Sequence, residues 1–203
     1  AYVTLEPCAH HGKTPPCSDA LINAGIARLV VAVQDPDQRV NGAGLSQIAA
    51  ANIKIRLGVM QPEAEEILCG FIKRLQTGKP YCSLKIATSM DGRVGLSDRK
   101  KRWLTGLPMR RYVHLLRSQN DAIVTGVGTV LSDDPRLNCR NEGIASDSPP
   151  IYVFDRLLRT PTTAKLFESQ HKVTFFCGDS ATKERRDELT AAGASIVPLP
   201  NDA

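Results

Sequence analysis

The sequence predicts an α/β protein with largely parallel sheets. Short apolar stretches rich in valine and isoleucine recur along the chain, amphipathic stretches of helical length separate them, and Gly or Pro marks many junctions. Tyr2 to Leu5 has the character of a strand. Ser18 to Ala24 is predicted as a helix stopped by Gly25, a residue suited to the left-handed turn that ends helices. Arg28 to Val33, with three valines, follows as a buried strand, and Asp35-Pro36-Asp37 with Asn41-Gly42 marks a loop. Leu45 to Ala51 is predicted as a helix and Ile53 to Val59 as a strand. A longer helix then opens at Gln61-Pro62-Glu63, where proline fits the first turn and acids complement the dipole. It is expected to run to about Gln76.

Gly78-Lys79-Pro80 reads as a domain boundary, giving units over 1–78 and 79–203. Beyond it the pattern predicts a strand over Tyr81 to Thr88, a turn at Met90-Asp91-Gly92-Arg93 and a helix from Pro108 to Arg117. Strands follow over Ala122 to Thr125, Ile151 to Phe154 and Val173 to Phe176, then a helix from Thr182 to Ala192 and a strand from Ser195 to Pro198. Asn141 to Pro150 is polar and proline-ended, which predicts an exposed loop.

Composition narrows the classes. At 42% hydrophobic and 23% charged, the chain has the balance of a soluble globular protein, and no apolar run reaches the roughly 20 residues a membrane helix needs. Ala1 enters a strand directly and no secretory leader is visible, so a piece of a longer cytoplasmic chain is expected. Six cysteines spread over 203 residues do not form a disulfide framework. Residues 1–78 hold seven basic and seven acidic side chains, whereas residues 79–203 hold 19 and 14, so the net charge of +5 lies wholly in the second part. Arg99 to Arg117 carries seven Arg or Lys and no acid, a pattern that suits either a solvated face or a site for phosphate groups. With aromatics at 5% and Trp103 alone inside that run, stacking on nucleic-acid bases is disfavoured.

Cys8 and Cys17 close the two ends of a proline-containing loop ahead of a helix. A helix N-terminus lowers a thiol pKa and so favours the thiolate that zinc requires. The nine-residue spacing is wider than that of the zinc-deaminase signature, and a purely structural loop explains the pair equally well. In the second part, Gly126-x-Gly128-Thr129 after a strand permits close backbone approach to a phosphate or sugar, or is simply a turn. Lys85 interrupts a stretch that otherwise has apolar character, which predicts a buried, functional lysine.

Three blocks carry a family resemblance. Thr4-Leu5-Glu6-Pro7-Cys8-Ala9-His10-His11-Gly12-Lys13-Thr14-Pro15-Pro16-Cys17 is similar to the second zinc motif of the bifunctional riboflavin-biosynthesis deaminase/reductase family. Leu84-Lys85-Ile86-Ala87-Thr88-Ser89-Met90-Asp91-Gly92 resembles the opening of that family's reductase domain. Gly126-Val127-Gly128-Thr129-Val130-Leu131-Ser132-Asp133-Asp134-Pro135 resembles a third family block, and the three occur in the family's order. The resemblance implies a cytidine-deaminase-like αβα domain followed by a dihydrofolate-reductase-like α/β domain. It implies zinc held by Cys8 and Cys17, with a histidine ligand and a catalytic glutamate in an H-x-E motif upstream of Ala1. It also implies a substrate contact from His10 and Lys13, and NADPH in the second domain against Ala87, Trp103, Thr129, Asp133 and Arg156. Lys101, Arg117, Leu137 and Arg140 fall on positions that contact a pyrimidine ribosyl phosphate, and Lys85 and Asp133 on polar positions of the reductase site. Lys101 and Arg156 stand where the family tends to have small residues. Self-association of the subunits is a further expectation of the family.

The residues alone leave other readings for several of these positions: Trp103 as a core aromatic, Leu137 as packing, Arg117 paired with a surface acid, and Asp133-Asp134 as a cap before Pro135. Two rival functions also fit parts of the chain. One is a nucleic-acid deaminase gripping its target with the basic run, and the other is a non-catalytic homologue acting as a binding module.

Overall fold

The computed structural model describes residues 1–95, 103–144, 148–168 and 171–200. The chain divides into two compact units, Ala1–Leu84 and Lys85–Ala203. The first contains β1 (Tyr2–Leu5), α1 (Cys17–Asn23), β2 (Arg28–Val33), α2 (Ala43–Ala50), β3 (Lys54–Leu57), α3 (Gln61–Ile67) and α4 (Cys69–Thr77). Its three strands lie in the order β1-β2-β3 and pair in parallel. β2 is central, and Leu29, Val30, Val31, Ala32 and Val33 are all buried. That unbroken apolar run is what a parallel strand covered on both faces requires. Leu29 and Val31 join Ile48 and Ile53 in one cluster, with Leu21, Ile22 and Leu45 from α1 and α2 packed on it. Ala32 and Val33 meet Ala64 of α3 in another.

Where one helix was expected from Pro62 to Gln76, the chain forms two, α3 and α4, which meet at Leu68. Ala64 ties α3 to the sheet, while α4 buries no residue. The helical ladder therefore breaks between a packed turn and an unpacked one. α4 ends at Gly78, whose φ of 68° is the left-handed conformation that glycine adopts without strain.

The second unit contains α5 (Leu107–Ser118), β4 (Ile123–Gly126), α6 (Val127–Asp133), β5 (Ile151–Phe154), a 3-10 turn at Lys165–Glu168, β6 (Val173–Cys177), α7 (Lys183–Ala191) and β7 (Ala194–Pro198). Its strands run in the order β4-β5-β6-β7, again all parallel. Ile151, Val153, Phe175, Leu158, Leu166 and Leu189 are fully buried and make its core. Thr182 caps α7 by accepting the backbone N–H of Arg185 on its hydroxyl.

Two local expectations are overturned. Tyr81 to Thr88 forms no strand. Among the described residues its backbone has no ladder partner, and Leu84 and Ile86 are 85% and 56% exposed. A strand needs both a hydrogen-bonding neighbour and an apolar face to bury, and this stretch has neither. Gly126-x-Gly128-Thr129, for which a simple turn was one reading, instead opens the helix α6. Among the described residues no helix is long and apolar enough to cross a membrane.

Candidate functional site

In the first unit, the end of β1 and the start of α1 bring Cys8 and Cys17 together. The Cys17 backbone N–H donates to Cys8 Sγ at 3.4 Å. Ser18, fully buried, secures this turn: its N–H donates to the Cys8 carbonyl at 3.1 Å, and its hydroxyl lies 2.9 Å from that carbonyl and 2.8 Å from Gln47 Oε1. The expectation of a lowered thiol pKa at the helix start is reversed for Cys17. Its thiol is pushed up, first by the hydrogen bond to Cys8, then by the charge on that sulfur and by burial. The pair supplies two adjacent sulfur donors, which fits half of a tetrahedral zinc set. Among the described residues no group of three or more His, Cys, Asp or Glu is placed to hold a metal.

Two residues before Cys8 stands Glu6, a residue given no role by the sequence pattern, which ties the end of β1 to α2. Its carboxylate is buried and accepts four backbone N–H groups. Gly44 and Leu45 donate to Oε1 at 3.0 and 3.2 Å, and Gly42 and Asp35 to Oε2 at 3.0 and 3.2 Å. It thus caps α2 from a distance of 38 residues in sequence. Lys13 and His11 are exposed on the loop, and His10 is half-buried with Nδ1 lacking a hydrogen-bond partner. Asp37, near enough to His10 to feel its charge, is held down at about 2, chiefly by hydrogen bonds from Arg39. Asp35 is buried, and burial pushes its carboxyl up. These two acids were legible only as turn residues. A cleft of about 250 Å³ lies elsewhere in this unit, between Val33, Leu57, Gln61 and Ile72, and holds none of the residues singled out from the sequence.

In the second unit the expected residues are dispersed over several places. Lys85 and Ala87 lie on the irregular segment beyond the first unit. Lys85 is exposed rather than buried, because the strand that was to enclose it does not form. Thr129 and Asp133 stand at the first and last turns of α6, both exposed, with the Ser132 hydroxyl 3.0 Å from Asp133 Oδ1. Trp103 is 68% exposed and so is not a core aromatic; the Arg110 guanidinium stacks on it at 4.4 Å. Lys101 lies outside the described residues.

Arg117, Leu137 and Arg140 are gathered by the turn that follows α6. Asp134 and Leu137 both have left-handed φ, 41° and 53°. Asp134 is fastened by Lys165, whose N–H donates to Oδ1 at 2.8 Å and whose ammonium lies 3.0 Å from Oδ2. Leu137 packs on the core. Arg117 donates to the Asn138 carbonyl at 2.9 Å, and the buried His114 ring lies 3.0 Å from the same oxygen through Nδ1. Burial, and then the charge of Arg140, lowers the Arg117 pKa; Arg140 is lowered by burial and by Arg136. Arg136, Arg140 and Arg117 thus concentrate positive charge about this turn.

His114, also missed from sequence, makes this cluster pH-sensitive. Burial, then Arg117 and Arg140, hold its pKa below the ordinary 6.5. The unfolded chain therefore binds a proton that the folded chain excludes, so this stability is present above about pH 6.5 and is lost as pH falls. Thermal melts of the second unit should drop from about pH 7 to pH 5, with a slope of up to about 1.4 kcal/mol per pH unit from this group. His114→Gln should flatten that slope. An unchanged slope in the variant would assign the pH dependence to other groups.

A cavity of about 470 Å³ lies at the carboxyl ends of the second sheet. Phe154, Phe176, Leu157, Arg156 and Arg159 line it, with Val127 from the start of α6. Of the expected cofactor residues only Arg156 is in its wall. Crevices at the carboxyl edge of a parallel sheet are where open α/β proteins take nucleotides.

The two units thus define a parallel α/β chain with a paired-thiol turn in one unit and an open crevice with flanking cations in the other. Residues 80–201 match the model of the RibD C-terminal domain, and the chain belongs to that family. It is 46% identical over 174 residues to riboflavin biosynthesis protein RibD of Escherichia coli (strain K12), covering 86% of this chain and 47% of that protein. It is 35% identical over 202 residues to RibD of Bacillus amyloliquefaciens, covering 99% and 54%. The Acinetobacter baumannii RibD structure (form 1) matches 97% of this chain and 55% of its own at a TM-score of 0.80 and 36% identity. A diaminohydroxyphosphoribosylaminopyrimidine deaminase/5-amino-6-(5-phosphoribosylamino)uracil reductase from Thermotoga maritima matches 97% and 61% at 0.79 and 27% identity. The chain spans about half the length of the relatives it matches.

Proposed function

We propose that this chain serves riboflavin biosynthesis as part of a two-centre enzyme. Its second unit takes NADPH and a pyrimidine ribosyl phosphate and reduces the ribosyl group to a ribityl chain. The observation that carries this reading is the crevice at the carboxyl edge of the second sheet, where an apolar aromatic wall adjoins two guanidiniums. NADPH supplies a hydride when bound. Phe154, Phe176 and Leu157 give the crevice an apolar lining, and Arg156 offers it a cation. Arg117 and Arg140 bind the substrate phosphate, on the turn whose Leu137 packs on the core. Asp133, at the end of α6, and Lys85 hold sugar hydroxyls and deliver the proton that accompanies the hydride.

The first unit contributes to hydrolytic deamination of the same pyrimidine. Cys8 and Cys17 would hold zinc, which when bound would supply Lewis acidity toward water. Lys13 binds substrate phosphate and His10 orients the ring. The paired thiols favour this reading, as does the Thermotoga maritima protein, which is named a deaminase as well as a reductase and matches across both units.

Titrating the purified chain with NADPH, with hydrogen exchange followed in parallel, tests the reductase reading. Binding should slow exchange at residues 154–160 and 176–178. An absence of binding, or binding that leaves those amides unprotected, would overturn it.

A further inference from the structure

We infer that Lys165 and Glu168, the outer residues of the 3-10 turn ahead of β6, are positioning residues that clamp the turn presenting Arg117 and Arg140 to a sugar phosphate. This rests on the reading of those two arginines as the phosphate site and deepens it. The clamp has two points. The Lys165 ammonium lies 3.0 Å from Asp134 Oδ2, and its backbone N–H donates to Oδ1 at 2.8 Å. Glu168 Oε2 accepts Arg136 twice, from Nε at 2.8 Å and from Nη2 at 2.7 Å. One partner thus carries acid then base, and the other base then acid. Any slip of one against the other brings like charges together, so the pairs set the register of the turn. All four side chains are partly exposed, and each pair alone adds little to stability. What they control is geometry.

The clamp is itself anchored to the sheet. Leu166 is fully buried in the core, and Phe167 packs on it with its ring centroid 6.1 Å from that of Phe175 in β6. The two middle residues of the 3-10 turn hold the core while the outer two reach the turn after α6. That turn needs holding. Asp134 and Leu137 have left-handed φ of 41° and 53°. An aspartate can offset this with local hydrogen bonds, but a leucine keeps such a conformation only where its surroundings impose it.

Beyond Leu137 the same turn is tied to α5. Arg117 donates to the Asn138 carbonyl at 2.9 Å, and Cys139 Sγ donates to the His114 carbonyl at 3.3 Å. Arg140 donates to Asn138 Oδ1 at 2.7 Å. Asn138 is therefore the point on which both guanidiniums are set, and its place follows from the backbone at residues 134–137. Release of the clamp lets Asn138 move and both cations with it. Holding them in advance removes the entropy of gathering them around a phosphate. Arg136 is near enough to lower the Arg140 pKa. A Glu168 that merely neutralised Arg136 would weaken the field on an anion, so its removal would tighten phosphate binding. A positioning Glu168 predicts the opposite sign.

Ribose 5-phosphate is the probe. Its affinity is measured for the unaltered chain, Arg117→Ala, Lys165→Ala, Glu168→Ala, the double alanine variant of Lys165 and Glu168, and Lys165→Arg, with melting temperatures and hydrogen exchange on the same samples. The unaltered chain should bind, and Arg117→Ala should bind more weakly. Each clamp alanine should weaken binding about 5-fold and the pair about 10-fold or more, with melting temperatures unchanged and faster exchange at residues 136–140. Lys165→Arg, which keeps the cation, should bind nearly as the unaltered chain does. Unchanged or tighter binding in the double variant, with Arg117→Ala still weakened, would overturn the clamp and leave the phosphate site standing. Affinity that falls only in step with melting temperature, in Lys165→Arg as in Lys165→Ala, would show a structural role and also overturn it. No binding to the unaltered chain, or binding that Arg117→Ala leaves intact, would remove the phosphate site and the clamp together.

Discussion

Glu6→Ala is expected to unfold the first unit locally, at a cost of about 3–5 kcal/mol, because it strips a buried acceptor from four backbone donors at once. Gly44 and Leu45 belong to the first turn of α2, whose N–H groups have no partner within their own helix. The N–H groups of Gly42 and Asp35 lie on the loop between β2 and α2. With alanine at residue 6, donors at the 3%-exposed Glu6 site lose their acceptor, and water reaches them only if the loop opens. Glu6→Gln is not a mild control. Each carboxylate oxygen serves two donors, so an amide can satisfy one pair while its NH₂ faces the other. It should lose roughly half as much. Native-state hydrogen exchange at the buried β2 amides reads the effect. Unchanged exchange free energies there in Glu6→Ala would show that the carboxylate bonds are dispensable.

The fold was legible where a residue pattern is its own cause. β2 was read with its observed bounds because a central parallel strand buries both faces, and Leu29 to Val33 shows that as an unbroken apolar run. Tyr81 to Thr88 was misread because the same alternation of residue types says only that a strand is possible; its pairing partner is decided by distant chain, and none is present among the described residues. Lys85 failed with it, since its expected burial was inferred from that strand. α6 was missed because Gly126 and Gly128 are turn signals in sequence, yet neither has the positive φ that would make glycine necessary.

The candidate sites divide in the same way. Cys8 and Cys17 were paired by the family resemblance, since their spacing alone suited a structural loop as well, and the structure puts the Cys17 N–H 3.4 Å from Cys8 Sγ. Arg117 and Arg140 both bond to Asn138, but the device that assembles this turn was invisible. It consists of left-handed backbone at Asp134 and Leu137, held by Lys165 from 31 residues away, and a buried His114 on the same carbonyl as Arg117. Glu6 and Arg159 escaped for one reason. Each acts on backbone or on a cavity that exists only after the strands pair, and a carboxylate or guanidinium in sequence carries no mark of that. Buried acids with several N–H partners are structural as readily as functional, so only geometry separates the Glu6 staple from a surface acid.

Gly44→Ala should be as damaging as loss of the Glu6 carboxylate, for a reason that meets it from the other side of the same contact. A Cβ on Gly44 would lie 1.8 Å from the Pro7 carbonyl oxygen and 3.0 Å from its carbon. Both are backbone atoms of the segment that carries Cys8, so no side-chain rotation relieves the overlap and α2 must withdraw from β1. Overpacking of this kind costs about 3 kcal/mol or more. Withdrawal also stretches the Gly44 and Leu45 bonds to Glu6 Oε1, and it draws Gln47 away from Ser18, which holds the Cys8 carbonyl. The two substitutions therefore break one assembly. Their double variant should cost clearly less than the two single costs added together, a coupling of at least about 1 kcal/mol. Urea unfolding of the two single variants and the double variant, read by exchange at β2, measures this. Simple additivity would mean that Gly44 closes against Pro7 independently of the staple, and that the cysteine turn is fixed by sterics alone.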